Sequence, residues 1–167
     1  MFHTIQPEEL GGNVFDLIGN RWMLLTAGDS KTGFNTMTVS WGQLGVLWGK
    51  YVANCYVRPQ RYTRKFMENS EYFTLSVYPE TMRDIHGVCG GMSGRDVNKA
   101  KEAGLTPVFT DYGATYFAEA ELAIVCKKIY FADLDPANFK DESIMSNYPG
   151  QDFHRMYVGE ITEILQK

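Results

Sequence analysis

The sequence predicts a mainly β protein, an antiparallel barrel with short helical insertions. Several segments alternate apolar and polar residues with a period of two, which is typical of strands with one face in a core. The predicted helices are few and short. A doubly wound parallel sheet needs a crossover helix between successive strands, so this pattern disfavours it. We therefore expect a closed antiparallel barrel.

The first predicted strands lie in the N-terminal quarter. Residues Trp22 to Ala27 form an apolar run, and Gly28 to Gly33 supply the turn that ends it. The segment from Thr36 to Trp41 alternates strictly. One face carries Thr36, Thr38 and Ser40, and the core face carries Met37, Val39 and Trp41. The next stretch contains Gly42, Gly45 and Gly49 and is expected to be irregular. A strand from Tyr51 to Val57 follows it.

Pro59 changes the pattern. Proline suits the first turn of a helix and pushes the residue before it toward extended geometry, so we expect a helix over Pro59 to Asn69. A strand from Tyr72 to Tyr78 follows. Two short helices, Glu80 to Ile85 and Asp96 to Ala103, are expected around a glycine-rich corner.

The C-terminal part returns to strands. A long strand is predicted over Ala118 to Tyr130, because its apolar residues share one face opposite two glutamates. The apolar residues are Ala118, Ala120, Leu122, Ile124 and Cys126. A last strand is expected over Met156 to Leu165.

Length, charge and cysteine usage limit the class of protein. The chain of 167 residues predicts a single domain spanning residues 1–167. A net charge of −4 disfavours nucleic-acid binding. Cys55, Cys89 and Cys126 lie far apart, which favours a reducing compartment. With no basic leader and no apolar run of membrane length, we expect a cytoplasmic protein without a membrane partner.

A basic cluster follows the third predicted strand. It comprises Arg58, Arg61, Arg64 and Lys65 in an otherwise acidic chain. At a proline-led helix start, free N–H groups and the helix dipole favour an anion, and arginine adds a bidentate grip on phosphate. The alternative is a solvated helix face, since Arg61 and Lys65 share the i,i+4 spacing.

Two further segments carry polar groups suited to a ligand. Asn35 to Trp41 offers amide and hydroxyl groups for a polyhydroxylated ligand, or is simply an amphipathic strand facing water. Cys89 to Asp96 is glycine-rich, so its backbone can approach a ligand closely, with Ser93 and Arg95 in support. The alternative is a surface turn leading to a helix capped by Asp96. The corner matches neither the GxGxxG fingerprint nor the GxSxG elbow.

No constellation of catalytic or metal-binding residues is evident. His3, His86 and His154 have no ligand spacing with one another or with cysteine. The segment from Asp152 to Arg155 is interpreted as an exposed loop or a salt bridge rather than the edge of a site. We therefore predict no metal and name no catalytic side chain.

Five segments occur in an order that resembles a known family. They are NTMTVSWG (35–42), VRPQRYTRKFMENSEYFTLSV (57–77), GGMSGRDVNKAKEAGLTP (90–107), ELAIVCKKIY (121–130) and DFHRMYVGEI (152–161). The chain resembles the flavin reductase-like, FMN-binding split-barrel family, including flavoredoxin-type proteins. The resemblance implies a Greek-key split β-barrel and a homodimer with one FMN per subunit near the interface.

The resemblance also implies roles for fifteen residues. Those expected to line the flavin are Asn35, Thr36, Met37, Thr38, Val39, Ser40 and Trp41. Those expected to hold the phosphate end are Arg58, Arg61, Tyr62 and Thr63, and those completing the pocket are Ser93, Arg95, Asp96 and Lys99. Gln60 and Tyr51 depart from the family, where serine and proline are common.

Three functions follow from the resemblance. The first is an NAD(P)H-dependent reductase of flavin or a small acceptor, with the chemistry carried by the flavin. The second is a flavoredoxin-like electron carrier or flavin-binding module without nicotinamide-dependent turnover. The third is a relative of the pyridoxamine-phosphate oxidases, which would need a second phosphate clamp, whereas the sequence shows one basic cluster. NAD(P)H as electron donor is implied by the family alone.

Overall fold

One eight-stranded antiparallel sheet frames the protein in the computed structural model, which describes residues 1–167. The strands are β1 (His3–Ile5), β2 (Met23–Asp29), β3 (Gly33–Val39), β4 (Gly42–Leu47), β5 (Lys50–Val57), β6 (Tyr72–Val77), β7 (Pro107–Phe109), β8 (Thr115–Phe117), β9 (Leu122–Asp133) and β10 (Arg155–Gln166). The α-helices are α1 (Thr63–Asn69), α2 (Ile85–Gly91) and α3 (Lys99–Glu102). Short 3₁₀ helices span Pro7–Glu9, Glu80–Met82, Pro136–Asn138 and Glu142–Asn147, and a π-helix spans Asp16–Asn20.

The sheet is a split barrel rather than a closed one. Its strand order is β3-β2-β6-β9-β10-β5-β4, with β1 added to β10 and a separate hairpin formed by β7 and β8. Strand β3 pairs with β2 and strand β4 with β5, and no pairing joins β3 to β4. The predicted antiparallel split barrel is confirmed, whereas the expectation of full closure is wrong. The opening lies where Ser40 and Trp41 carry the chain from one edge strand to the other.

The inner face of the sheet holds the main core. Met37 and Val39 point into it, as their alternation predicts. Trp41 does not, because β3 ends at Val39 and leaves the indole side chain beyond the strand, where the residue is 45% exposed. Strand β9 begins at Leu122 rather than Ala118, and Leu122 to Cys126 are buried without alternation because β9 is a central strand.

The stretch Gly42 to Gly49 is a strand and turn rather than an irregular segment. Strand β4 pairs in register with β5, and the tight turn between them places Trp48 and Gly49 at positive φ. Glycine adopts this geometry without strain, which explains Gly49. The strand was not predicted because its glycines have no side chains, so the sequence shows no alternation of apolar and polar residues there.

The helices around the basic cluster and the glycine-rich corner start later than expected. Helix α1 begins at Thr63, since a turn closed by the Arg61 N–H and the Arg58 carbonyl (3.1 Å) precedes it. Arg61 therefore lies before the helix, and the argument from the helix dipole does not apply to it. Helix α3 is capped by Asn98, which accepts from the Lys101 N–H at 3.1 Å, rather than by Asp96.

The predicted helix over Glu80 to Ile85 is also displaced. Glu80–Met82 is a single 3₁₀ turn, and the α-helix α2 runs onward through the glycines to Gly91. No helix of the structure is both long enough and apolar enough to cross a membrane.

Candidate functional site

A cavity of about 210 Å³ lies where β3 ends and the barrel opens. We call it the strand-end cavity, and its walls are Met37, Thr38, Val39, Ser40, Trp41, Tyr56, Arg58, Arg61 and His154. All but Tyr56 and His154 belong to the residues predicted from the sequence. The split of the barrel thus brings the polar strand and part of the basic cluster to one place.

The link between the two edge strands supplies unpaired backbone donors to this cavity. Ser40 and Trp41 lie between β3 and β4, outside both ladders, and their N–H groups donate no hydrogen bond to another backbone carbonyl. Backbone N–H groups are obligatory donors, so these two are free to bind a ligand atom that accepts. The half-exposed Trp41 indole forms an apolar wall beside them.

Arg58 is fixed at the rim of the strand-end cavity. Its Nη1 forms a 2.9 Å ion pair with Asp152 Oδ2, and its Nη2 donates to the Asn147 carbonyl at 2.9 Å. The guanidinium also lies over the Tyr148 ring, 4.9 Å from its centroid. These contacts hold a cation at the cavity with a defined orientation. The predicted salt bridge of the segment 152–155 is therefore present, since Asp152 pairs with Arg58.

Arg61 is held by the end of helix α2. Its Nη1 donates to the Gly90 carbonyl at 3.0 Å and its Nη2 to the Cys89 carbonyl at 3.4 Å. The carbonyl end of a helix favours a cation. Burial lowers the pKa of Arg61 from its ordinary value, but a guanidinium stays charged near neutral pH. The cavity therefore has two cations with remaining N–H donors.

His154 is a wall residue that could hardly be recognised from the sequence. The imidazole is buried, its Nδ1 lies 2.7 Å from the Tyr148 hydroxyl, and its ring centroid is 5.1 Å from that of Trp41. Burial, with the nearby charge of Arg58, lowers the pKa of His154 to about 4. The ring is therefore neutral at neutral pH. The only sequence signal for a site role was the position of His154 in the segment DFHRMY, within the family-like motif at residues 152–161. The interpretation of this segment as an exposed loop is wrong for His154, which is buried.

The remaining predicted residues gather at a second cavity of about 510 Å³ along the other half of β3. We call it the helix-side cavity. Its predicted wall residues are Asn35, Thr36, Tyr62, Arg95, Asp96 and Lys99. Thr63 is buried behind it, and Ser93 lines neither cavity but accepts the Arg95 N–H at 3.2 Å. Thirteen of the fifteen predicted residues thus line one of two adjacent cavities, seven in the strand-end cavity and six in the helix-side cavity.

Lys99 lines the helix-side cavity and contacts the segments that form both cavities. Its Nζ donates to the Thr36 carbonyl at 3.0 Å and to the Cys89 carbonyl at 2.8 Å. Burial, with the neighbouring charge of Arg61, lowers the pKa of Lys99 to about 8. The Cys89 carbonyl also accepts a hydrogen bond from Arg61, so it contacts both Arg61 of the strand-end cavity and Lys99 of the helix-side cavity. Lys99 therefore fastens α3 to β3 and has one N–H left beyond these two bonds.

The other two cations of the basic cluster lie outside both cavities. Arg64 pairs with Glu68 at 3.5 Å and with Asp133 at 3.8 Å. Lys65 is exposed, with its Nζ 5.9 Å from the Tyr62 ring centroid. The solvated-face alternative therefore describes Lys65, whereas Arg64 is a partly buried, ion-paired residue.

The fold and the site together define a class of protein. It is an antiparallel split barrel with a cationic, aromatic-walled cavity at its opening. The family model for the flavin reductase like domain matches residues 15–167. The chain therefore belongs to the flavin reductase-like family, as its motifs predict.

Solved structures share this fold at low sequence identity. An FMN-binding domain of a flavin reductases-like enzyme from Shewanella baltica OS155 is 17% identical with a TM-score of 0.68, over 99% of this chain and 77% of that chain. Flavoredoxin from Methanosarcina acetivorans is 19% identical with a TM-score of 0.67, over 96% and 76%. Nitrilotriacetate monooxygenase component B from Bacillus cereus is 15% identical with a TM-score of 0.66, over 96% and 79%. No curated protein matches the sequence.

Proposed function

We propose that this protein binds FMN at the strand-end cavity and acts as an NAD(P)H-dependent reductase of a flavin or a small acceptor. The observation that carries the proposal is the composition of that cavity. Two oriented guanidinium groups, Arg58 and Arg61, lie beside two free backbone N–H groups, at Ser40 and Trp41. Membership of the flavin reductase-like family supports the same cofactor.

The donor set fits a phosphorylated flavin. Arg58 and Arg61 each keep N–H donors beyond those they use within the chain, and charge-assisted bonds to phosphate suit them. The residues from Met37 to Trp41 would line the ring and ribityl chain. The helix-side cavity adjoins this one, so Tyr62, Arg95 and Lys99 are proposed to complete the pocket.

Bound FMN would supply the two-electron chemistry that links a reduced nicotinamide to an acceptor. The residues of the chain stabilise that chemistry by their charge and placement. Free N–H groups at Ser40 and Trp41 and the two guanidiniums favour a ligand that gains negative charge. His154 is neutral at neutral pH and adds no competing cation. Trp41 and Tyr56 form an aromatic part of the cavity wall.

We also propose a homodimer of single-domain subunits, each spanning residues 1–167. Large apolar side chains are exposed along the edge strand β4 and its turn, including Val46, Leu47 and Trp48. Exposed apolar patches of this kind mark interaction surfaces. The edge strand lies beside the strand-end cavity through Trp41, which supports a dimer interface near the cofactor.

Anaerobic mixing with NADH or NADPH tests the activity. Purified protein with its cofactor identified by mass spectrometry should lose its flavin absorbance rapidly on mixing with one of the two. If the flavin stays oxidised with both, the protein is an electron carrier of the flavoredoxin kind, and the reductase proposal is wrong. If no FMN is found and none binds in a calorimetric titration, the flavin proposal itself fails.

A further inference from the structure

A larger cavity of about 800 Å³ opens beside the strand-end cavity. We call it the apolar cavity. Ser40, Trp41 and Tyr56 line both cavities, so the two share a wall. A molecule in the apolar cavity would therefore lie directly next to whatever the strand-end cavity binds.

The walls of the apolar cavity carry no formal charge. They include Val14, Phe15, Ile18, Leu44 and Leu134, and none of the lining residues is Asp, Glu, Lys, Arg or His. The strand-end cavity, by contrast, holds Arg58 and Arg61. An anion in the apolar cavity would lose its hydration without gaining a cationic partner, which is costly. The apolar cavity therefore selects a neutral ligand.

The walls of the apolar cavity carry a free hydrogen-bond donor. Tyr56 donates its hydroxyl proton to Gln43 Oε1 at 2.8 Å, which leaves the Gln43 amide NH₂ free. The Trp41 indole lies on the wall of the same cavity. Donors on an aromatic wall are matched by carbonyl oxygens on a flat ring. This combination is the chemistry of a quinone or an aromatic carbonyl compound.

We infer that the electron acceptor of this protein is a neutral aromatic carbonyl compound of the quinone class, bound in the apolar cavity, rather than a second phosphorylated flavin. The inference rests on the proposed function. In the overall reaction a reduced nicotinamide loses one hydride, which carries two electrons and a proton. A second proton comes from solvent, the two quinone carbonyls become hydroxyls, and oxidised nicotinamide is released.

Calorimetry with two related quinones tests the site directly. Titration of the FMN-saturated protein, in which the proposed phosphate site at Arg58 and Arg61 is occupied, should show binding of 2,3-dimethyl-1,4-naphthoquinone at least about tenfold tighter than that of 1,4-naphthoquinone-2-sulfonate, because a sulfonate finds no cation in the apolar cavity. Equal or tighter binding of the sulfonate would overturn the inference. The readout needs no turnover, so it remains valid if the reductase proposal fails.

A charge placed at the cavity mouth locates the site. Phe15 is 87% exposed, so Phe15→Asp leaves the core intact. This variant should weaken binding of the dimethylnaphthoquinone about tenfold while FMN affinity stays unchanged. Met145→Asp, at a 40% exposed residue outside the apolar cavity, is the matched control. Wild-type quinone affinity in Phe15→Asp would overturn the assignment.

Steady-state turnover separates this inference from the proposed function. NAD(P)H oxidation should be faster with the dimethylnaphthoquinone than with added free FMN. If a nicotinamide reduces the bound flavin but free FMN is the faster acceptor, the quinone inference is wrong and the reductase proposal stands. If no nicotinamide reduces the flavin and the quinone still binds selectively, the reductase proposal fails and the neutral-ligand site stands.

Discussion

Asn35 donates a hydrogen bond from Nδ2 to Thr63 Oγ1 over 2.9 Å, and both residues are buried. The bond joins β3 to the first residue of α1, and Asn35 lines the helix-side cavity. Both residues were expected to contact the cofactor, and here each has the other as a partner. The bond therefore fixes the segment that carries Arg58 and Arg61 against the strand that lines the cavity.

Thr63→Val should destabilise the protein by about 1–3 kcal/mol. Valine preserves the shape but leaves the buried Asn35 amide without an acceptor, which costs this much. Urea unfolding followed by circular dichroism measures the change. Thr81→Val, at an exposed threonine, is the control and should change stability by less than about 0.5 kcal/mol. An effect of Thr63→Val no larger than that of the control would contradict the role of the bond.

Arg61→Ala should weaken FMN binding roughly ten- to a hundred-fold, since a charge-assisted bond contributes about 1.5–3 kcal/mol. Riboflavin, which has no phosphate, should lose much less affinity. Arg64→Ala is the matched control, because Arg64 is engaged with Glu68 and Asp133 away from the cavities. Calorimetric titration measures the affinity of each variant for FMN and the affinity of Arg61→Ala for riboflavin. Wild-type FMN affinity in Arg61→Ala would remove Arg61 from the phosphate site, and a loss in Arg64→Ala alone would mean that the wrong arginine was chosen.

Gly94→Ala should be strongly destabilising. A Cβ at this position would lie 2.1 Å from Asn35 Oδ1 and 2.9 Å from Tyr62 Cδ1, so the helix-side cavity wall must shift. Gly91→Ala is the control, because a Cβ there meets nothing within 4 Å. Thermal melting should show a clear decrease in Tm for Gly94→Ala and little change for Gly91→Ala. Equal melting of the two variants would contradict the close approach.

The free energy of unfolding should decrease as the pH falls from about 6.5 toward about 4. His154 has its pKa lowered from 6.5 to about 4 by burial first and by Arg58 second, and His86 is lowered in the same direction. The unfolded chain takes up protons in this window that the folded chain does not, so protonation favours unfolding. Urea titrations across this pH range measure the slope. His154→Gln should flatten it, and an unchanged slope would show that His154 does not cause it.

Light scattering should report a dimer at micromolar concentration. The expected cause is burial of the apolar side chains at β4 and its turn against a second copy. Trp48→Glu, at a residue 62% exposed, should raise the monomer fraction without lowering the melting temperature of the monomer. A wild-type protein that stays monomeric and still binds FMN would contradict an interface beside the cofactor site.

Much of the strand pattern could be predicted because alternation depends on local sequence alone. Met37 and Val39 enter the core as their spacing indicates, and the strands near residues 23, 51, 72 and 156 lie within a few residues of their expected bounds. The spaced glycines of β4 and the five buried residues at the start of β9 broke the alternation. Those two strands were therefore missed or misplaced, since position in the sheet overrides the local pattern.

The candidate site could be predicted in its residue types but not in its arrangement. The basic cluster and the polar strand are visible in the sequence as neighbouring charges and hydroxyls. Which cations face a cavity depends on distant partners. Arg64 is engaged by Asp133, sixty-nine positions along the chain, and Arg58 by Asp152. His154 is a wall residue only because the start of β10 brings it against Trp41.

The class of fold, the family and the polar and cationic segments that a ligand would meet could all be identified from the sequence, since these follow from local periodicity and from ordered motifs. The opening of the barrel between β3 and β4, and the free N–H groups of Ser40 and Trp41 in that opening, are evident only in the folded chain. The same is true of the division of the predicted residues between two cavities. The physical reason is that burial, hydrogen-bond partners and pKa depend on groups that pack together from distant parts of the chain, which local sequence does not encode.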